Sequence, residues 1–459
     1  MNSIKTKKEE DFAKWYHEVI DATKLVDFSV VKGCVVYHEY CLQIWEQIKN
    51  YLNFNLVPLG FKQYYFPTLI PLKSLKKQQK HFDDFFREAL VVSKSGNNNL
   101  EEEYAIRPTS EAIMYESFAK WVREEKDLPL CANQFCSVMR WESFKPNMPL
   151  LRGNEFLWQE SHSAHSTEKE ADEYAKKIFD IYKDLHENCL AMPAITGFKP
   201  KHRMFPGAKY TLALESLMPD LKSVQSATSH SLGQNFSSAF NIKFKNKKGK
   251  EEFAWQACNG ITTRVIGALV MLHGDNKGLV IPPKIAPYQA VLIGFKDDRI
   301  IDEACKSGIR CYAELDKSNL SEMVNYWIMM GAPVVITKEK GQFTLIRRDT
   351  LEKKTVGKKI LIKEIQKTLD SIQNNLLKKA KLFHSSHLSK ANSWKDFEKI
   401  ASGKKGFIEA LWCGNVDCAR QIREKTNKNS IRVVNPAKSG NCVHCSSKAQ
   451  YTATFAPAY

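Results

Sequence analysis

Arg107-Pro-Thr-Ser-Glu111, Met139-Arg-Trp-Glu142 and Ile261-Thr-Thr-Arg264 follow one another along a chain of 459 residues. Between them they supply a carboxylate beside a hydroxyl, and two arginines far apart in sequence. A carboxylate suits an α-amine, and fixed cations suit a bent triphosphate with its metal. Each block alone arises by chance. Three in this order, with suitable partners between them, form a pattern.

The residues around the blocks extend it. Segment 134–142 reads as a strand, which would put Arg140 and Glu142 on one face. Inward charge on a strand usually serves a ligand, because unpaired buried charge is costly. Arg152 lies in the loop Lys145-Pro-Asn-Met-Pro-Leu-Leu-Arg-Gly153, and Phe156 lies on the next strand, 154–160. Strand, loop and strand then carry two cations and an aromatic face for a base. Trp158, Glu160 and His162 alternate and face one way. Thr109-Ser110-Glu111 opens a helix, where Glu111 serves either as a first-turn capping residue or as a group facing a cavity. Gln225-Ser-Ala-Thr228-Ser-His230 sets three polar side chains in a strand-like segment, and Arg264 sits just inside a helix starting near Thr262.

Apolar positions at Val36, Tyr40, Ile44, Ile48 and Leu52 predict an amphipathic helix over 35–52, and Phe61–Pro67 reads as a strand stopped by proline. Glu168–Cys189 is helical by its stripe. Segments 223–236, 240–245 and 251–256 suit antiparallel strands, with Asn246-Lys-Lys-Gly249 as a hairpin turn. The pattern predicts an α+β fold built on an antiparallel sheet. Ile281-Pro-Pro-Lys-Ile-Ala-Pro287 marks a boundary. Beyond it, strands at 288–295, 309–314 and 334–337 alternate with helices at 297–307 and 318–331, predicting a small α/β unit. A lysine-rich helix at 359–383 leads into a third unit. The expected division is 1–283, 284–383 and 384–459.

The net charge of +17 is uneven. Residues 284–459 hold 31 Lys and Arg against 17 Asp and Glu, a surplus of 14, which leaves +3 for everything before them. A surplus concentrated there favours a polyanion, most simply nucleic acid, over a merely solvated lysine-rich face. No run of 18 apolar residues exists, and the first ten residues hold no apolar core of a signal peptide. The expectation is a cytoplasmic protein with no membrane segment. Twelve cysteines there argue for thiols rather than disulfides. Cys413-x4-Cys418 and Cys442-x2-Cys445, separated by 23 residues, have the pattern of a closed four-thiolate Zn²⁺ site whose role is folding.

These blocks resemble the three motifs of the class II aminoacyl-tRNA synthetases: the helix–strand ending at Pro67, Arg140-x-Glu142 through Phe156, and Gly260-Ile-Thr-Thr-Arg264. Arg107-Pro-Thr-Ser-Glu111, Leu157-Trp-Gln-Glu-Ser-His162, Ser229-His-Ser-Leu-Gly-Gln-Asn-Phe236 and Arg347-Arg-Asp-Thr350 resemble the prolyl subgroup of archaeal and eukaryotic type. So do the four C-terminal cysteines, the final tyrosine, and the lack of an editing insertion between Arg140 and Arg264. The resemblance runs from about Trp15 to Tyr459. It implies a class II antiparallel catalytic domain, a small α/β anticodon-binding domain and a C-terminal α+β zinc-binding domain. It also implies prolyl-adenylate formation from L-proline and ATP with Mg²⁺, then transfer to tRNA(Pro), by a homodimer that binds neither DNA nor membrane. Thr109, Glu111, Arg140, Trp158, Glu160, His162, Phe205 and His230 would hold proline. Arg140, Glu142, Arg152, Phe156, Gln225, Thr228, Thr262 and Arg264 would hold ATP, with Arg140 and Arg264 supplying the catalytic charge.

Three positions depart from the family. Ser161 replaces the glycine of Glu-Gly-His, so that a Cβ crowds the pocket; Asn259 stands before Gly260 where tryptophan is common; Ile328 follows Trp327 where the family has an acidic anticodon contact. Two other readings are a synthetase-derived tRNA-binding or regulatory protein without charging activity, and a threonyl or seryl enzyme. Intact Arg140, Arg264 and Glu111 speak against the first, and the far-downstream cysteines against a threonine-type zinc pocket.

Overall fold

A computed structural model of the chain describes residues 4–77, 87–142, 148–316, 319–403, 406–426 and 428–459. Its centre is an antiparallel sheet whose strands run, in spatial order, Ile195–Phe198, Tyr210–Leu217, Ser223–Gly233, Trp255–Thr262, Glu155–His165 and Leu130–Met139. Lys62–Gln63 adds one short parallel strand beside Leu130–Met139. The expected strand over Phe61–Pro67 is thus mostly irregular, though Tyr64 N still bonds Asn133 O and Phe66 N bonds the Gln134 side chain.

The predicted amphipathic helix is Glu39–Leu56. It buries Tyr40, Cys41, Ile44, Trp45, Ile48 and Leu52, and each such side chain contributes about 1.5–3 kcal/mol by leaving water. Val36 lies outside it, exposed on the short strand Val35–Tyr37. Pro58 and Gly60 end the helix, Gly60 taking the left-handed conformation at φ +85° with its N–H on Val57 O. Helix Glu168–Asp184 covers the back of the sheet, packing Ala171, Ala175 and Ile178 behind Ser223–Gly233 and Trp255–Thr262. The strands Ile195–Phe198 and Tyr210–Leu217 are among the elements not expected from sequence, and helix Asn235–Phe240 interrupts the predicted 223–236 strand.

A second sheet joins parallel strands Cys311–Glu314, Ala290–Ile293 and Val334–Glu339 to antiparallel Gln342–Arg347 and Lys353–Val356. The proline segment 281–287 is not an exposed spacer. Ile281, Ile285 and Ala286 are buried in the same core as the Glu39–Leu56 helix. Arg348 reinforces that seam, donating two hydrogen bonds to the Asp275 carboxylate at 2.6 and 2.8 Å. After the long helix Leu361–Ser386, strands Leu388–Ala391, Phe407–Trp412, Tyr451–Ala456 and Ser430–Pro436 extend the central sheet through Val434 opposite Phe198. The chain from Leu388 onward is therefore welded to the central sheet rather than tethered to it. Among the described residues no helix is long and apolar enough to cross a membrane.

Candidate active site

One face of the central sheet carries a cavity of about 300 Å³. All 15 residues singled out from the sequence for proline and ATP line it, drawn from segments up to 155 residues apart between Thr109 and Arg264. Strand alternation explains the sheet's share: Trp158, Glu160 and His162 point forward, and Gln159 points back to bond Asn133 and Tyr182.

The acidic end is fixed by an unusually dense set of hydrogen bonds. Thr109 Oγ1 donates to Glu111 Oε2 at 2.5 Å, and Ser110 Oγ donates to Glu160. Ser110 therefore does not cap its helix, Glu111–Trp121, and the capping reading of this block fails. Gln134 Nε2 donates to Glu160 Oε1 at 2.6 Å, while Glu160 Oε2 shares a bond of 3.1 Å with His162 Nε2. The other His162 nitrogen meets Tyr115 OH at 3.0 Å. Burial raises the Glu111 carboxyl above its usual range, His162 and Thr109 opposing and Glu160 adding. His230 lies between Thr211 Oγ1 (2.8 Å) and Thr228 Oγ1 (2.9 Å), with the Phe205 ring 4.5 Å away. Burial and the nearby His162 push its imidazole down to about 3, so it is neutral. The result is a small pocket with a desolvated carboxylate as its floor, suited to a compact cationic amine.

The arginine end lies beside it. Arg140 Nε donates to Pro108 O at 2.9 Å, and its guanidinium stands 5.5 Å from the Phe156 ring and 5.7 Å from Trp158. The strand stops at Met139, so Arg140 and Glu142 do not alternate on it as expected. Arg140 N bonds Asn154 O, Glu142 N turns back to Arg140 O, and both side chains reach the cavity from a turn. Residues 143–147 of the following loop lie outside the described residues. Between Arg152 and Phe156, Gly153 approaches Gly33 so closely that a Cβ would sit 2.9 Å from its carbonyl oxygen. Arg264 Nε donates to Leu151 O at 2.9 Å and Nη1 to Gln225 O at 3.4 Å. Burial, with Arg152 and Arg140 near, lowers its guanidinium to about 10. Arg140 and Arg264 are thus held on backbone carbonyls, and with Arg152 they gather three positive charges at one end of the cavity. That is a site for a polyanion.

Several neighbours carried no sequence signal. Arg107, from the opening block, does not line the cavity: it is buried and donates to Phe66 O and Ser137 O, tying the Pro67 segment to strand Leu130–Met139. Glu215, fully buried, accepts from Lys199 (3.0 Å), from Ser223 (2.6 Å) and from Arg432 through Nε and Nη2 (3.1, 2.8 and 3.0 Å). Lys199 also lines the cavity, so this cluster links the 394–459 region to its wall. Ser161 does not crowd the pocket. Its side chain points behind the sheet, directly opposite Asn259, whose Nδ2 donates to Ser161 Oγ at 3.3 Å; Ser229 Oγ donates to Asn259 Oδ1 at 2.5 Å. The two departures are one cross-strand pair, the smaller Asn259 leaving room for the Ser161 hydroxyl.

Cys413, Cys418, Cys442 and Cys445 converge with their sulfurs within 4.8 Å of one another. Cys418 and Cys442 are 3.7 Å apart, and Cys413 and Cys445 3.5 Å. Tetrahedral zinc with Zn–S of ~2.3 Å needs sulfurs roughly 3.8 Å apart, so the donor set fits that ion.

The chain is similar to known proteins along nearly its whole length. The family profile described as tRNA synthetase class II core domain (G, H, P, S and T) matches residues 92–273, and the prolyl-tRNA synthetase C-terminal profile matches 394–459. A proline–tRNA ligase of Natranaerobius thermophilus is 39% identical, over 96% of this chain and 94% of its own length. One from Alkaliphilus oremlandii is also 39% identical, over 99% and 98%. The crystal structure of a Cryptosporidium parvum prolyl-tRNA synthetase complexed with halofuginone and AMPPNP superposes with a TM-score of 0.92, at 35% identity, covering 100% of this chain and 97% of that one.

Proposed function

The chain belongs to the proline–tRNA ligase family of class II synthetases, and from that premise we propose how its cavity divides the work. It joins L-proline to tRNA(Pro) in two steps, forming prolyl-adenylate and pyrophosphate from proline and ATP, then passing the prolyl group to the 3′ end of the tRNA. The observation that carries the residue assignment is the meeting of Glu111, Arg140 and Arg264 on one cavity.

Proline sits at the acidic end. Glu111 takes the imino cation, Thr109 orients that carboxylate, and Trp158, Glu160, His162, Phe205 and His230 shape the ring pocket. Arg140, between the two ends, binds the proline carboxylate and then the α-phosphate. ATP extends toward Arg264, with Phe156 stacked on adenine and Arg152, Gln225, Thr228 and Thr262 around it. Glu142 Oε2 is buried, accepts no hydrogen bond among the described residues, and lies 3.5 Å from Arg152 Nη2, so it is a carboxylate suited to Mg²⁺ or its waters. Mg²⁺ neutralises phosphate charge when bound. No side-chain nucleophile is required. The proline carboxylate attacks the α-phosphorus, the pentacovalent centre forms between Arg140 and Arg264, and rate comes from orientation and preorganised positive charge.

The remaining assignments are of the same kind. Residues 284–383 form the anticodon-binding unit and 384–459 the zinc-binding unit, with 1–283 catalytic; the charge surplus after Lys284 supports tRNA contact there. Cys413, Cys418, Cys442 and Cys445 hold structural Zn²⁺. Exposed Phe54, Val57, Tyr65 and Leu69 cluster on the first-motif helix and the chain after it, supporting a homodimer through that face. The protein works in the cytoplasm. Charging of a tRNA(Pro) transcript with labelled proline tests the whole reading: turnover that depends on proline, ATP and tRNA(Pro) is expected, and binding of tRNA without charging would favour the regulatory alternative.

A further inference from the structure

Cys258 has no part in the reaction just described, yet it lines the proline end of the cavity. Its sulfur, an oxygen of Glu111 and a ring nitrogen of His162 all lie within 4.8 Å of one another. All three residues are buried, with 4%, 2% and 1% of their surfaces exposed. The surroundings complete what a thiophilic metal needs. Tyr115 OH, 3.0 Å from His162 Nδ1, can accept the Nδ1 proton and leave Nε2 free to bind a cation. Glu160 Oε2, 3.1 Å from that Nε2, offers a second carboxylate.

We infer that Glu111, His162 and Cys258 form an inhibitory Zn²⁺-type site inside the proline pocket, which excludes proline by taking its carboxylate. One thiolate, one imidazole and one carboxylate are the donor types that zinc prefers, and a fourth position remains for water or Glu160. Tetrahedral donor separations of roughly 3.3–3.8 Å require the three groups to close by at most about 1–1.5 Å from their present limit of 4.8 Å. On binding, His162 Nε2 leaves Glu160, and the Cys258 thiol releases its proton to solvent, so occupancy rises with pH. Glu111 cannot hold both a metal and an imino cation. Metal and proline are therefore competitors, whereas ATP binds at the other end of the cavity.

This inference rests on the proline reading only for that competition. The test is a Cd²⁺ titration of the full-length protein, its four-cysteine site already zinc-loaded, followed by the ultraviolet thiolate-to-Cd²⁺ charge-transfer band. Each titration is repeated with Cys258→Ser, so that signal from the C-terminal thiolates cancels. A band that Cys258→Ser removes and saturating proline suppresses is expected. Tyr115→Phe, which keeps the thiol, should weaken Cd²⁺ affinity about 10–100-fold through loss of the hydrogen bond that orients His162. A band unchanged by Cys258→Ser overturns the site. A Cys258-dependent band that proline leaves intact, in protein that runs proline-dependent pyrophosphate exchange, also overturns it, because the metal would then lie elsewhere. Absence of proline-dependent exchange in zinc-loaded protein with Mg²⁺ and without Cd²⁺ would instead count against the proline reading, and the Cys258 band is scored independently of it.

Discussion

Replacing Glu215 by glutamine should be one of the most damaging single changes away from the substrates. The carboxylate is fully buried and accepts from Lys199, Ser223 and Arg432 at 2.6–3.1 Å. Glutamine preserves the shape and one acceptor but removes the charge, leaving two cations buried together. Each ion pair at 3–4 Å is worth about 4–5 kcal/mol at an effective dielectric of about 20. Relaxation and water entry recover part of that loss, so the net cost should be about 3–5 kcal/mol, as for other buried pairs broken on one side. That is two to four decades in the unfolding constant. Burial alone would raise the Glu215 carboxyl, but Lys199, Arg432 and Ser223 overcome it and hold it below its ordinary value of 4.5. Its contribution is therefore complete above that value and fades as pH falls through the lowered one. Urea unfolding followed by Trp412, which lies on the joined strand Phe407–Trp412, gives the measurement. A loss under about 1 kcal/mol near neutrality would refute the weld between the two regions, as would an acid limb of stability that Glu215→Gln leaves unchanged. Replacing Glu215, Lys199 and Arg432 together by Leu, Met and Met should recover much of the loss, since the desolvation cost disappears with the charges.

Other expectations follow from the same geometry. Glu111→Gln removes one partner of a buried charge pair with proline, costing about 2–5 kcal/mol, or roughly 30- to several-thousand-fold in kcat/KM for proline, with KM for ATP little changed. Because burial raises the Glu111 carboxyl, wild-type proline KM should climb at a higher pH than an ordinary carboxylate would give as the solution is acidified, and Glu111→Gln should lack that limb. Chelation of zinc should release strands Phe407–Trp412 and Tyr451–Ala456 first, read as amide exchange there before the Leu130–Met139 strand loosens; simultaneous exchange of both would contradict a separate folding role for the metal. Ser161→Ala and Asn259→Ala should be non-additive by roughly 0.5–3 kcal/mol in a double-mutant cycle, and additivity would dissolve the proposed pair.

The charged residues of the site were legible because their chemistry is rare in the interior: Glu111 and Glu160 are buried and Arg140 and Arg264 half-buried, and a ligand is the simplest reason for it. The alternation of Trp158, Glu160 and His162 was legible because strand period is fixed by the backbone. Arg140 and Glu142 line the cavity from beyond the end of the expected strand, since a strand end is decided by partners such as Asn154 and not by the local pattern. Strand Tyr210–Leu217 was missed because both its faces are largely buried, which erases the polar–apolar alternation that marks a half-exposed strand. Arg107 and Arg432 are the reverse case. Their partners are carbonyls and a carboxylate up to 217 residues away, and no local spacing encodes such a contact.

The central claim is that one cavity activates proline, and no other amino acid comparably, by breaking the α–β phosphate bond of ATP and releasing pyrophosphate. ATP–pyrophosphate exchange across the twenty amino acids, with zinc-loaded full-length protein, tests it most directly. Exchange driven by proline far above the rest, and abolished by Arg140→Ala or Arg264→Ala, is the predicted result. Exchange with threonine or serine instead, or none with proline in folded protein, would contradict it.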